Sequence, residues 1–190
     1  MDRSDHIRAA ALELFTRQGY EATTMADIGA AVGMRGPSLY KHVASKQDLL
    51  AGIMTATMVS LLAAHHAAVA TTGDPVERLR RATEAHVRYH ARHRLEAFVG
   101  NREIRSLVEP HRARVLALRA DYERCFRELV QAGVTAGVFH VGSVRLASYA
   151  VLDLGMGVSA WYREDGELSE DTVVWQYSEF ALRLVGHRQP

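Results

Sequence analysis

Residues 24–46, TMADIGAAVGMRGPSLYKHVASK, read as two short helices joined by a glycine turn, the second carrying exposed polar and basic side chains. Thr24 can cap orphan helical N–H groups, and Asp27 three positions on gives a capping-box spacing with Asp in place of Glu or Gln. The first helix of the pair is therefore expected from about Met25, with Ile28, Ala31 and Val32 at helical spacing and Gly33 as its left-handed end. Arg35 to His42 is predicted as the second helix, with Pro37 in its first turn and Leu39 and Val43 facing inward. That leaves Arg35, Ser38, Tyr40, Lys41 and His42 outward, which is how a helix is offered to a DNA groove. Ser45 and Asp48 repeat the capping spacing and open a longer apolar stripe at Leu49, Leu50, Ile53 and Met54.

So short a pair needs a neighbour, and Met1 to Tyr20 supplies it through Ile7, Ala11, Leu14 and Phe15, ended by Gly19. With AAALELFTRQGYEATTMADIGAAVG followed by RGPSLYKHVASKQDLL, residues 5–50 resemble the N-terminal DNA-binding domain of the tetracycline-repressor (TetR) family. Val43 and Ala44 stand where many members have Phe and Pro, which leaves the entry to the next helix less rigid. The resemblance implies a helix-turn-helix motif at 24–43. It implies a recognition helix bearing Arg35, Gly36, Ser38, Tyr40, Lys41 and His42, with Tyr40 and Lys46 touching phosphate and Thr24 presenting a helix N-terminus to phosphate. The chemistry agrees: an Arg can fork onto guanine O6 and N7, a Gly allows close approach, and helix N-termini, Lys and Tyr position a protein on the backbone.

The 190 residues, 48% hydrophobic, suffice for one small and one larger domain. A formal net charge of +1 gives no global attraction to DNA, so affinity must come from local charge. Arg35, Lys41 and Lys46 lie in a stretch without an acid, while Asp2, Asp5, Glu13 and Glu21 precede it. The single Cys125 excludes an intrachain disulfide framework, and no signal peptide or membrane span is visible, so a cytoplasmic protein is expected.

The whole chain reads as all-α, about nine helices, with a DNA-binding domain at 1–50 and an effector-binding and dimerisation domain at 51–190. After the break ATTGDP, Pro75 behind Asp74 opens a helix to about His93, a shorter segment covers about Leu95 to Leu107, and Pro110 opens another to about Ala136. Ser143 and Ser169 look like caps of the last two helices. Those carry apolar stripes at Leu146, Ala150, Leu154, Gly157 and Trp161, and at Val173, Tyr177, Phe180, Leu184 and Val185. Gly155 and Gly157 read as places of close helix approach or of a bend beside a cavity, the first suggesting a dimer seam. The family resemblance implies a homodimer through these two helices on a palindromic operator, with recognition helices about one DNA turn apart, roughly 34 Å.

It also implies a cavity for a small-molecule effector among the middle helices. Tyr89, Phe98, Tyr122, Phe126, Tyr149, Asp153, Met156 and Trp161 are its candidate lining. Asp153, interrupting an apolar helix, reads either as a ligand's polar partner or as a helix-bonded or interface carboxylate. NREIRSL at 101–107, LRADYERCFRELVQAGVTAGVF at 118–139 and WYREDGELSEDTVVWQY at 161–177 resemble a branch of lipid-degradation regulators that respond to acyl-CoA thioesters. For such a ligand Arg102, Arg105, Arg112 and Arg163 are the candidate phosphate partners. No cofactor is expected. The competing reading is a metal-dependent helical-bundle enzyme using His86, His90 and His93, with Glu84 and His65–His66 nearby in sequence. It lacks paired Glu-x-x-His or HExxH ligands, and Arg88, Arg92 and Arg94 disfavour a cation there. No catalytic loop or nucleophile signature appears, so catalysis is not expected.

Overall fold

Thr24 caps its helix as the spacing predicts: its Oγ1 accepts from Asp27 N at 3.1 Å, and Asp27 Oδ2 accepts from Thr24 N at 2.8 Å. The same economy starts the later helices, where Ser45, Asp74, Ser143 and Ser169 each accept from the backbone N–H three residues on. A computed structural model describes residues 3–188; Met1 and Asp2, expected at the head of the first helix, lie outside the described residues. Among the described residues there are nine α-helices and no strand: α1 (Arg3–Gln18), α2 (Met25–Ala31), α3 (Gly36–Leu39), α4 (Lys46–Val69), α5 (Pro75–Arg92), α6 (Arg94–Arg102), α7 (His111–Thr135), α8 (Val144–Trp161) and α9 (Glu170–Leu184).

Two boundaries differ from expectation for physical reasons. The regular part of α3 ends at Leu39 rather than His42, and the chain continues through tight turns, with His42 N and Val43 N both donating to Leu39 O. Leu39 is the one buried residue of α3, so packing holds one turn only. The segment expected from about Leu95 to Leu107 splits into α6 and a 3₁₀ turn at Ile104–Ser106. Between them Glu103 turns inward, accepting from Tyr20 N at 3.3 Å and from Ser106 Oγ at 2.9 Å.

The chain forms two compact units, one of residues up to Met58 with Leu95–Leu118, the other of Val59–Arg94 with residues from Arg119 onward. In the first, α1, α2 and α3 close on a core of Ile7, Phe15, Ile28, Leu39, Leu50 and Met54, which Val99, Leu107 and Val115 complete. Gly33 at φ 66 makes the turn between α2 and α3, a conformation that costs residues with a Cβ about 1 kcal/mol or more.

In the second unit α5 packs on α8 and α9, with Val87, Ala91, Val158, Val173 and Val174 between them. Ion pairs fasten α5 to α9: Arg80 meets Glu179, and Arg88 and Arg92 both meet Glu170. The α4 helix is long and apolar enough to cross a bilayer by length and composition. Here Leu49, Leu50, Ile53 and Met54 are buried in one unit and Leu61 in the other, while Val59 is exposed.

Candidate functional site

The first unit exposes the residues expected to read DNA. Arg35 caps α3 without a side-chain hydrogen bond, and Arg35, Gly36, Ser38, Lys41 and His42 are exposed, as is Tyr40 at 55%. Fully buried Leu39 fixes this row from behind. Thr24 is exposed at the start of α2, its hydroxyl engaged in the capping box.

Lys46 stands differently from the others. Its Nζ donates to Tyr20 O and Thr23 O, each at 2.8 Å, and lies 4.1 Å from the Tyr20 ring centroid. Two of its three donors therefore secure the entry to α4 against the end of α1, which leaves at most one for phosphate. Its neighbour Gln47 went unnoticed in the sequence. Gln47 Nε2 donates to Tyr20 Oη and to Ser106 O, both at 2.7 Å, and Gln47 Oε1 accepts from Val108 N at 3.1 Å. Glu103 was missed for the same reason: each binds partners about 60 to 80 positions away, which local pattern cannot register.

In the second unit the candidate aromatic lining separates. Tyr122 and Phe126 are buried together, ring centroids 5.4 Å apart, against His65 and His86. Tyr149 is half-buried and accepts from Arg145 Nε at 3.0 Å; Met156 is half-buried; Asp153 and Trp161 are exposed on α8. Tyr89 stacks on His93 at 4.3 Å. Phe98 and Arg102 belong to the first unit, exposed, with the guanidinium 5.5 Å from the ring centroid. Arg105, Arg112 and Arg163 are exposed.

The histidines form a buried group rather than a ligand set. His86 Nε2 lies 3.0 Å from Leu152 O; a carbonyl only accepts, so Nε2 carries the proton and Nδ1 accepts from Tyr122 Oη at 2.9 Å. Burial holds the His86 imidazole down to about 4, and His65 likewise, with the charges of His66 and Arg78 adding to the effect on His65. His90 packs edge-on against His86, and burial brings it down to about 2. Burial pushes the Tyr122 hydroxyl up. Among the described residues no three His, Cys, Asp or Glu side chains are grouped to hold a metal ion; both ring nitrogens of His90 are buried without a hydrogen-bond partner.

A cavity of about 220 Å³ opens in the same unit, lined by His65, His66 and Val69 of α4, Arg78 of α5, and Cys125, Glu128 and Leu129 of α7. The outer faces of α8 and α9 carry Leu146, Trp161, Trp175, Phe180 and Leu184 into solvent, Leu146 at 67% and Trp175 at 56%. These apolar side chains are exposed on helices whose other sides are already packed.

The family description "Bacterial regulatory proteins, tetR family" matches residues 7–53, and "Tetracyclin repressor-like, C-terminal domain" matches 72–185. The chain is 30% identical over 175 residues to the HTH-type transcriptional repressor KstR2 of Rhodococcus jostii (strain RHA1), spanning 90% of this chain and 85% of that one. A solved bacterial regulatory protein in the tetR family from Rhodococcus RHA1 superposes with a TM-score of 0.92 at 35% identity over the full length of both chains. AibR, solved in complex with isovaleryl coenzyme A and operator DNA, shares the fold with a TM-score of 0.85 at 24% identity, covering 98% of this chain and all of that one.

Proposed function

We propose a mechanism from one premise: this chain belongs to the tetR family of bacterial regulatory proteins, and it is a DNA-binding regulator, not an enzyme. It is a repressor that binds a palindromic operator as a homodimer and leaves it when a small hydrophobic effector, an acyl-CoA thioester, binds. The observation that carries the DNA-binding part is the exposed row Arg35, Gly36, Ser38, Tyr40, Lys41 and His42, raised on buried Leu39 in a stretch from 35 to 46 without an acid. Arg35 reads a base edge; Tyr40 and the N-terminus of α2 at Thr24 hold phosphates. Lys46 shares its ammonium between the Tyr20 and Thr23 carbonyls and the backbone of the DNA.

Residues 1–50 read the operator, and the remainder binds effector and partner. The similarity to the repressor KstR2 supports the sign of regulation, and the isovaleryl coenzyme A complex of AibR supports the effector class. The dimer forms through α8 and α9, whose outward Leu146, Trp161, Trp175 and Phe180 are the apolar surface such a seam requires. The α4 and α7 helices each have residues in both units, so a change of packing around them in the second unit is carried into the first along continuous backbone. Release needs the effector to bind one state better than the other by about 1 to 3 kcal/mol.

Selection of bound fragments from random DNA, followed by anisotropy titration with and without a panel of acyl-CoAs, tests both halves. A palindrome bound by two chains and released by at least one thioester is expected. Equal affinity for the selected and scrambled sequences removes the operator reading; release by free acids or coenzyme A alone, and by no thioester, removes the effector class.

A further inference from the structure

Every polar atom of Tyr20, in the turn after α1, is held by a residue from elsewhere in the first unit. Its N donates to Glu103 Oε1 at 3.3 Å, its carbonyl accepts from Lys46 Nζ at 2.8 Å, and its hydroxyl accepts from Gln47 Nε2 at 2.7 Å. The ring is buried against Phe15. Tyr20 thus fixes the stretch of chain between α1 and α2, and through Gln47 it is joined to a third part of the unit.

Gln47 is the second residue of α4, half-buried, and its whole amide is engaged by partners 27, 59 and 61 positions away. Besides Tyr20 Oη, Nε2 donates to Ser106 O at 2.7 Å, while Oε1 accepts from Val108 N at 3.1 Å. Ser106 O can only accept and Val108 N can only donate, so one orientation of the amide satisfies all three bonds. A side chain that served only to start its helix would bond within its own turn, as those of Thr24, Ser45 and Asp74 do. Beside it His111 Nε2, at the first residue of α7, lies 3.3 Å from Asp48 Oδ1. That pair is partly exposed and adds little, so the amide is the firm connection.

What these bonds join decides what they do. The α4 and α7 helices both run on from the first unit into the second. Gln47 ties the first turn of α4 to the residues just ahead of α7, and ties both to the turn that leads into Thr24 and α2. All of these partners belong to the first unit.

We infer that Gln47 is a positioning residue for operator recognition. Acting through Tyr20 rather than on DNA, it sets the orientation in which α1, α2 and the row from Arg35 are carried on α4 and α7, and so the half-site spacing that a dimer accepts. This role rests on the homodimeric operator reading above and needs no effector. One base pair added or removed at the centre of a palindrome moves a half-site by about 3.4 Å and turns it by about 35°. A DNA-reading head held in one orientation follows neither change; one freed at Tyr20 and Ser106 follows both in part.

The test uses the full-length protein, the palindrome isolated by selection, versions one base pair longer and shorter at its centre, and a duplex carrying one half-site. Anisotropy titration gives the spacing penalty, the ratio of the dissociation constants on altered and selected spacing. Wild type should show a penalty of about a hundredfold, from loss of simultaneous engagement by two heads. Gln47→Met keeps the length of the side chain and none of its hydrogen bonds, and should shrink this penalty at least about threefold. Affinity for the single half-site should stay within about twofold of wild type, which a general loss of structure would not allow. Tyr20→Phe, which removes one of the three bonds and keeps the ring, should shrink the penalty in the same direction. By NMR the exposed Val108 amide, deprived of its acceptor in Gln47→Met, should exchange with solvent at least about tenfold faster.

A Gln47→Met penalty within about threefold of the wild-type one overturns the role. So does an unchanged Tyr20→Phe penalty, should Gln47→Met not fold, or Val108 exchange that the substitution leaves unaltered. A wild type that binds all three spacings alike overturns it too. A wild type that selects no palindrome removes the operator reading, and this role with it, so wild type alone tells the two failures apart.

Discussion

Gly155 of α8 lies directly against the imidazole of His86 on α5: a Cβ at position 155 would overlap the ring, 2.6 Å from Nε2. The ring cannot withdraw, because Nε2 is fixed to Leu152 O and Nδ1 to Tyr122 Oη. Close approach of α5 and α8 at this point explains a glycine inside a helix. It is close helix approach, one of the two readings of Gly155 and Gly157, made within the chain at Gly155 rather than at the dimer seam it suggested. Gly157 alone faces open space in the chain. Gly155→Ala is therefore expected to destabilise by about 1–3 kcal/mol, overpacking outweighing the roughly 1 kcal/mol gained in helix propensity. Gly157→Ala should leave folding unharmed and change only the dimer dissociation constant. Chemical denaturation and sedimentation of the two variants separate these effects.

Lys46→Met keeps the aliphatic stem but leaves Tyr20 O and Thr23 O without their shared donor. A loss of about 2 kcal/mol from the first unit is expected, since bonds to charged groups contribute about 1.5–3 kcal/mol each and this site is half-exposed. DNA affinity should fall on specific and random sequences alike, measured by anisotropy on both. A variant of unchanged stability and unchanged affinity would show that neither role holds.

Tyr40→Phe and Arg35→Ala divide phosphate anchoring from base reading. Tyr40 is exposed just past the end of α3 and its hydroxyl should contribute equally to all DNA sequences, so Tyr40→Phe weakens binding uniformly by about 1 kcal/mol. Arg35→Ala should relax preference at one operator position by about 1–3 kcal/mol while retaining most affinity for random DNA. Competition with single-base operator variants reads this out. Equal losses across all variants for Arg35→Ala would refute its reading role.

The buried histidines make stability depend on pH. Burial holds His65 and His86 at about 4 and His90 at about 2, below the ordinary value of 6.5. As pH falls the unfolded chain takes up these protons first, so the stabilisation is complete above about pH 6.5. It is lost as pH falls from there toward 4, and further still for His90. Each histidine contributes a slope of up to about 1.4 kcal/mol per pH unit in that window. Thermal melts between pH 7.5 and 5 should show a falling midpoint, and His90→Phe should flatten the fall by one proton's worth. An unaltered slope in that variant would mean that His90 is not held neutral.

Leu146→Glu and Trp175→Glu place charges on the exposed apolar faces of α8 and α9. Neither side chain is in the core, so folding should survive while the dimer dissociates at micromolar concentration and operator affinity drops by at least about tenfold. Sedimentation equilibrium and anisotropy check both halves. A Leu146→Glu, Trp175→Glu double variant that remains dimeric would move the seam elsewhere.

Local rules were legible wherever the chain obeys local physics. Thr24 with Asp27, Ser45 with Asp48, Asp74, Ser143 and Ser169 announce helix starts because a cap bonds within three residues. Gly19 and Gly33 announce ends because their positive φ is a property of single residues. The exposed row from Arg35 to His42 is legible for a related reason: in and beside a helix of one turn held by Leu39, the polar side chains face out.

Other assignments needed the tertiary structure. Asp153 and Trp161 fit a cavity by composition, yet α8 turns them outward, since its buried side is Ala147, Ser148, Val151, Gly155 and Val158. His86 and His90 fit a metal by spacing, yet Tyr122, Leu152 and Gly155 arrive from other helices to enclose His86, and His90 packs edge-on against it. Lys46 fits a phosphate by charge, but only the tertiary structure shows that two carbonyls, from the end of α1 and the loop after it, take two of its three donors. The sequence by itself determined an all-helical chain, because caps and helical periodicity are properties of neighbouring residues, and its resemblance to the TetR family supplied the DNA-binding reading. Tertiary structure alone decided which polar side chains are free for a ligand and which serve the fold. That choice depends on partners many tens of residues away, and a side chain's hydrogen bonds are assigned by whatever packing brings within 3 Å.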